Sequence, residues 1–67
     1  MRNLPQLINE QEAALRLGLK VPTLRRWRWA GRGPAFHKIG GAVRYSDADV
    51  DAYITAARRR STSDAGR

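Results

Sequence analysis

The segment Thr23-Leu24-Arg25-Arg26-Trp27-Arg28-Trp29 constrains this chain more than any other, because a Leu and a Trp three apart stand among a hydroxyl and three guanidiniums. A short helix with one side in a core and another presented to an anionic surface fits that pattern. The expected helix runs from Val21 to Ala30, with Pro22 in its first turn, where a missing N–H is harmless, and Gly31 as its stop. At about 100° per residue, Val21, Leu24 and Trp27 share one side, while Thr23, Arg26 and Ala30 lie opposite. Arg25 and Arg28 flank the buried side, and Trp29 lies off it.

Upstream, Asn9-Glu10-Gln11-Glu12 reads as a helix start, with Asn9 as N-cap, Glu12 at the third position of a capping box and Leu7 or Ile8 stapling from outside. Ala13, Ala14 and Leu17 continue at helical spacing, and Gly18 stands where a left-handed C-terminal residue belongs. Two short helices joined by the turn Gly18-Leu19-Lys20, the second rich in arginine, make a helix-turn-helix.

After Gly31-Arg32-Gly33-Pro34 breaks the helical pattern, Phe36-His37-Lys38-Ile39 and Ala42-Val43-Arg44-Tyr45 flank Gly40-Gly41, as in a hairpin with a two-residue turn. That register sets Ile39 opposite Ala42, Lys38 opposite Val43, His37 opposite Arg44 and Phe36 opposite Tyr45. Phe36, Val43 and Tyr45 then share the inner side with Lys38, which must lean outward. A third helix opens at Ser46, with Asp47, Asp49 and Asp51 early, a stripe of Val50, Tyr53, Ile54 and Ala57, and Arg58-Arg59-Arg60 at its C-terminal end. The expected class is mainly α with a small β-hairpin: a winged helix-turn-helix over residues 1–60, then a disordered polar tail, 61–67.

A chain of 67 residues buries only about 60% of its unfolded surface. There is no cysteine to staple it, and His37 alone builds no zinc site, so neither metal nor cofactor is expected. No nucleophile, carboxylate pair or phosphate loop accompanies His37, which argues against an enzyme. Met1 to Pro5 lacks the apolar stretch of a signal peptide and no run approaches a membrane span, so the cytoplasm, on the nucleoid, is the expected location.

Thirteen Lys and Arg against six Asp and Glu leave a formal charge of +7. Five of those six acids fall at the starts of the first and third helices, and none lies between Ala13 and Arg44. Arg16, Lys20, Arg25, Arg26, Arg28, Arg32, Lys38 and Arg44 are therefore expected to be unopposed, as on a polyanion-binding face. Double-stranded DNA is the expected partner. Thr23 and Arg26, with Arg25 at the edge, are the expected base contacts, and Lys20, Arg28, Arg32, Lys38 and Arg44 the expected phosphate contacts. Pro22 is exposed by the same wheel. The wing tip, Ile39-Gly40-Gly41-Ala42, is narrow enough to enter a minor groove, although its glycines equally serve the turn alone.

The runs Glu12-Ala13-Ala14, Leu17-Gly18-Leu19, Thr23-Leu24-Arg25-Arg26-Trp27, Gly31-Arg32-Gly33-Pro34, Lys38-Ile39-Gly40, Val43-Arg44-Tyr45 and Asp49-Val50-Asp51 resemble the small winged helix-turn-helix proteins of the excisionase and AlpA type. That family is related in fold to the DNA-binding domains of MerR regulators, and the resemblance covers Leu7 to Ala57. It implies the second helix in a major groove, through Thr23, Arg25 and Arg26, and the Gly40-Gly41 turn in the adjacent minor groove. One departure is Lys20, where such proteins usually carry a Ser cap.

Similarity to excisionases implies a recombination directionality factor that binds and bends attachment-site DNA and steers an integrase of a phage or mobile element toward excision. AlpA-like relatives instead regulate transcription, and a third reading is a basic adaptor for RNA or an acidic protein. One reading helix covers few base pairs, so cooperative self-association of several copies on DNA is expected, through the surface around Trp29, the wing and the third helix.

Overall fold

The computed structural model describes residues 6–59. The proposed tail from Ser61 onward, Arg60 and the N-terminal Met1 to Pro5 lie outside them. Asn9 starts the first helix as anticipated: its Oδ1 accepts a 2.8 Å hydrogen bond from the Glu12 backbone N–H, and α1 runs Glu10–Leu17. The Glu12 carboxylate turns to Arg16 rather than completing a capping box. Gly18 adopts a left-handed conformation and the Leu19 N–H returns to the Ala14 carbonyl at 2.9 Å, which ends the helix within one residue.

The second helix, α2, runs Val21–Trp29, one residue shorter than its pattern suggests, with Ala30 as its C-cap. Lys20 caps it through backbone alone. Its carbonyl accepts from Thr23 and Leu24, and no side-chain bond supplements this. Among the glycines that follow, Gly33 is the tightest: φ is +86°, and a Cβ there would stand 3.0 Å from Cε3 of Trp27. The chain thus reverses against the Trp27 ring, which also packs on Tyr53 at 6.0 Å between centroids and carries Arg32 over its face at 5.7 Å.

The sheet has one more strand than the sequence suggests. β1 (Leu7–Ile8), β2 (His37–Ile39) and β3 (Ala42–Ser46) form an antiparallel sheet in the order β1-β3-β2. The hairpin register is as expected for His37 with Arg44, Lys38 with Val43 and Ile39 with Ala42, and Gly40 takes a positive φ at the turn. Tyr45 instead pairs with Ile8, and Phe36 meets it only through ring contact at 6.1 Å. A two-residue strand carries too little alternation to be recognised in sequence; burying Ile8 against Tyr45 is what recruits it.

α3 (Asp47–Ala57) begins at Ser46, whose hydroxyl accepts from the Asp49 N–H. Its first turn is tied to the strand before α1, since the Asp47 N–H donates to the Gln6 carbonyl and Gln6 N–H to Asp47 Oδ1. The helix ends before the arginine run: Arg58 is already extended, so no basic residue stands in the last turn. Ile8, Ala13, Ala14, Leu24, Tyr45 and Val50 form the core, with Leu17, Val21, Trp27 and Val43 packed against it. Two buried alanines, Ala13 and Ala14, lie on α1 within this core.

Candidate nucleic-acid interface

α2 buries Leu24 completely and Val21, Trp27 and Arg28 in part, so its solvent side is centred on Pro22, Arg25, Arg26 and Trp29. This is a rotation of the expected face. Thr23 is half-buried at its border, whereas Trp29 is 91% exposed in line with Arg25 and Arg26. The wheel reading sets Thr23 at the centre of the exposed side and Arg28 only on the flank of the buried one. Arg28 instead enters the apolar side, where Glu10 and a tyrosine hydroxyl satisfy it.

The arrangement around Arg28 is compact. Its Nη1 donates to Glu10 Oε1 at 3.3 Å and to the Tyr45 hydroxyl at 3.1 Å, and its guanidinium lies 5.7 Å from the Phe36 ring centre. Its side chain is 17% exposed, and its Nη1 is engaged by protein groups where the sequence predicts a phosphate contact. Glu10, itself 16% exposed, also receives Arg25, whose Nη2 lies 2.7 Å from Oε2 and whose Nε lies 3.2 Å from Oε1. Arg25 remains 58% exposed and reaches the surface from this anchored position.

The expectation that the central cations are unopposed is therefore corrected in two places. Glu10 serves Arg25 and Arg28, and Arg16 lies 3.8 Å from both Glu12 and Asp51. Acids that are segregated in sequence are brought back by the packing of α1 beside α2 and α3. Lys20, Arg26, Arg32, Lys38 and Arg44 have no ion pair among the described residues. All are exposed except Arg44, which is half-buried and donates to the Val43 carbonyl.

The Glu10 carboxyl is held below its usual range. The hydrogen bond from Arg25 is the main cause, burial opposes it, and the charge of Arg25 and the bond and charge of Arg28 add to it. Arg25 is correspondingly raised by the same bond. A carboxylate with a depressed folded-state pKa stabilises the fold above its unfolded value, near 4.5, and that contribution is lost as the pH falls through the lower folded value. Thermal melts are expected to show wild type losing stability below about pH 4.5 relative to Glu10→Gln, with the difference constant near neutrality. Parallel profiles through the acid range would contradict the pairing.

A cleft lined by Arg25, Arg28, Trp29, Phe36, Lys38 and Val43 separates α2 from the hairpin. The turn residues Ile39, Gly40 and Gly41 are exposed beyond it, and Ala42 is half-buried at its base. Glu10 is the residue to which sequence reasoning gives only a helix-start role, while the surface around Trp29 is expected to carry contact between copies. Trp29 was legible as an aromatic at i+3 and i+4 from two arginines, whereas Glu10 is fifteen residues from Arg25 and no local pattern links them.

Among the described residues no helix is long and apolar enough to cross a membrane, and no group of three or more His, Cys, Asp or Glu residues is placed to hold a metal ion. No curated protein matches the chain. The family model described as a helix-turn-helix domain matches residues 7–58, from β1 to the end of α3. With both helices of the motif, the wing and the third helix inside that match, the chain belongs to the helix-turn-helix domain family and is a DNA-binding domain of that kind.

Proposed function

We propose that this protein is a recombination directionality factor that binds attachment-site DNA in several copies, bends it and steers an integrase toward excision. The observation that carries the reading is the pairing of a basic, aromatic face on α2 with an exposed hairpin tip across a basic-rimmed cleft. With α2 in a major groove and the hairpin in the next minor groove, one sugar-phosphate strand crosses that cleft. Arg25 and Arg26 then meet base edges, with Thr23 at the margin, and Lys20, Arg32, Lys38 and Arg44 take phosphates. Trp29 and Phe36 give the strand's deoxyriboses an apolar surface. Nothing in this scheme calls for a catalytic group, and family members of this kind are typically non-enzymatic.

A single α2 reads too few base pairs for useful selectivity, which favours cooperative binding. A second, mostly apolar cleft, lined by Leu17, Leu19, Trp27, Tyr53, Ile54 and Ala57 with Arg58 at its edge, suits contact between copies placed head to tail. The experiment is a footprint on DNA flanking the gene and the nearest attachment site, with protein concentration varied. Clustered direct repeats protected with a steep onset and accompanied by bending support the proposal. A single protected site overlapping a promoter would replace it with transcriptional regulation, and no sequence-selective protection would replace it with an adaptor role.

A further inference from the structure

We infer that Glu10 is a positioning residue for base selectivity: by gripping one edge of the Arg25 guanidinium, it aims the other edge at O6 and N7 of a single guanine. The inference rests on the DNA-binding role of α2 and names what one residue of that face reads.

A guanidinium carries five N–H donors in one plane. Arg25 spends its Nε and Nη2 edge on Glu10, at 3.2 Å to Oε1 and 2.7 Å to Oε2. Nη1 and the outer Nη2 hydrogen, the edge that matches the two acceptors of guanine, have no such partner among the described residues and belong to a side chain more than half exposed. The grip is itself fixed. Arg28 holds Glu10 Oε1 from the interior while bonding the Tyr45 hydroxyl and lying over Phe36, so the carboxylate is anchored to β3 as well as to α1.

A phosphate contact needs only a cation within reach, whereas a base contact needs two donors held in one plane and direction. Glu10 supplies that hold and at the same time places a negative charge beside the DNA-facing helix, which weakens attraction to phosphates in general. Aim is gained and undirected affinity is lost, as a base-reading arginine requires.

The test enriches binding sites from a random duplex pool with wild type, Glu10→Gln and Arg25→Ala, then measures affinity for the best wild-type site, for each single base-pair variant of it and for random duplex. Arg25→Ala is expected to lose about 5- to 150-fold of discrimination, all at one G·C pair. Glu10→Gln is expected to lose part of the discrimination at that same pair while binding random duplex as tightly as wild type or more so. The double variant is expected to match Arg25→Ala alone. Glu10→Asp, which keeps the charge but shortens its reach to both arginines by one methylene, is expected to resemble Glu10→Gln at that base pair and covers a fold too weak without the charge. Equal weakening on every sequence by Glu10→Gln and Glu10→Asp would reduce Glu10 to a structural role and overturn the inference, as would an Arg25→Ala variant with unchanged preferences. Failure of wild type to enrich any sequence would defeat the DNA-reading role itself, a separate outcome.

Discussion

Leu24→Ala is expected to leave most of the chain unfolded at 25 °C. Leu24 is 1% exposed and packs in one cluster with Ile8, Ala13, Ala14, Tyr45 and Val50, so truncation removes the side chain that joins α2 to the rest of the core. Leucine-to-alanine changes at such sites cost about 2–5 kcal/mol, because the lost burial is compounded by a cavity that neighbours fill only partly. Ala13 and Ala14 are too small to fill it. A core in a domain of this size rarely supplies more than about 3–5 kcal/mol in all. Leu15, on α1 but 76% exposed, is the internal control, and Leu15→Ala is expected to change stability by less than about 0.5 kcal/mol. Urea titration followed by circular dichroism separates the two; similar midpoints would mean that the core is not where it is described.

Salt is expected to weaken duplex binding steeply. If Lys20, Arg32, Lys38 and Arg44 each neutralise a phosphate, the slope of log affinity against log salt is about −3.6, and going from about 50 to about 200 mM salt costs about 150-fold. Lys38→Ala should make the slope shallower by about 1 unit on every sequence. Arg28→Ala should leave the slope nearly unchanged and instead lower stability, since its guanidinium serves Glu10 and Tyr45. Fluorescence anisotropy across a salt series reads both. A slope near zero for wild type, or equal changes from the two variants, would contradict the division between phosphate-facing and inward-facing cations.

Much of this architecture was legible because it is locally encoded. Asn9, Gly18, Ser46 and the Gly40-Gly41 turn each act within a few residues of themselves, so the helix starts, one helix stop and the hairpin register follow from short patterns. What escaped is non-local. β1 exists because Ile8 reaches Tyr45, thirty-seven positions away, and Glu10 pairs with two arginines of another helix. Arg28, set on the flank of the apolar side by the wheel, is drawn into it because Glu10 and the Tyr45 hydroxyl meet it, partners that no local pattern links to it. Trp29, by contrast, falls off the apolar side by its spacing alone, and α2 carries it almost wholly in solvent.

The most direct measurement is a titration of isotope-labelled protein with a duplex, followed by backbone amide NMR shifts. Changes concentrated on Pro22's neighbours, Arg25, Arg26, Trp29, Lys38 and the Gly40-Gly41 turn, with Leu17, Tyr53 and Ile54 little moved at low occupancy, are the predicted result. Shifts centred on Leu17, Tyr53 and Ile54, with α2 and the hairpin unaffected, would contradict an interface built from α2 and the wing.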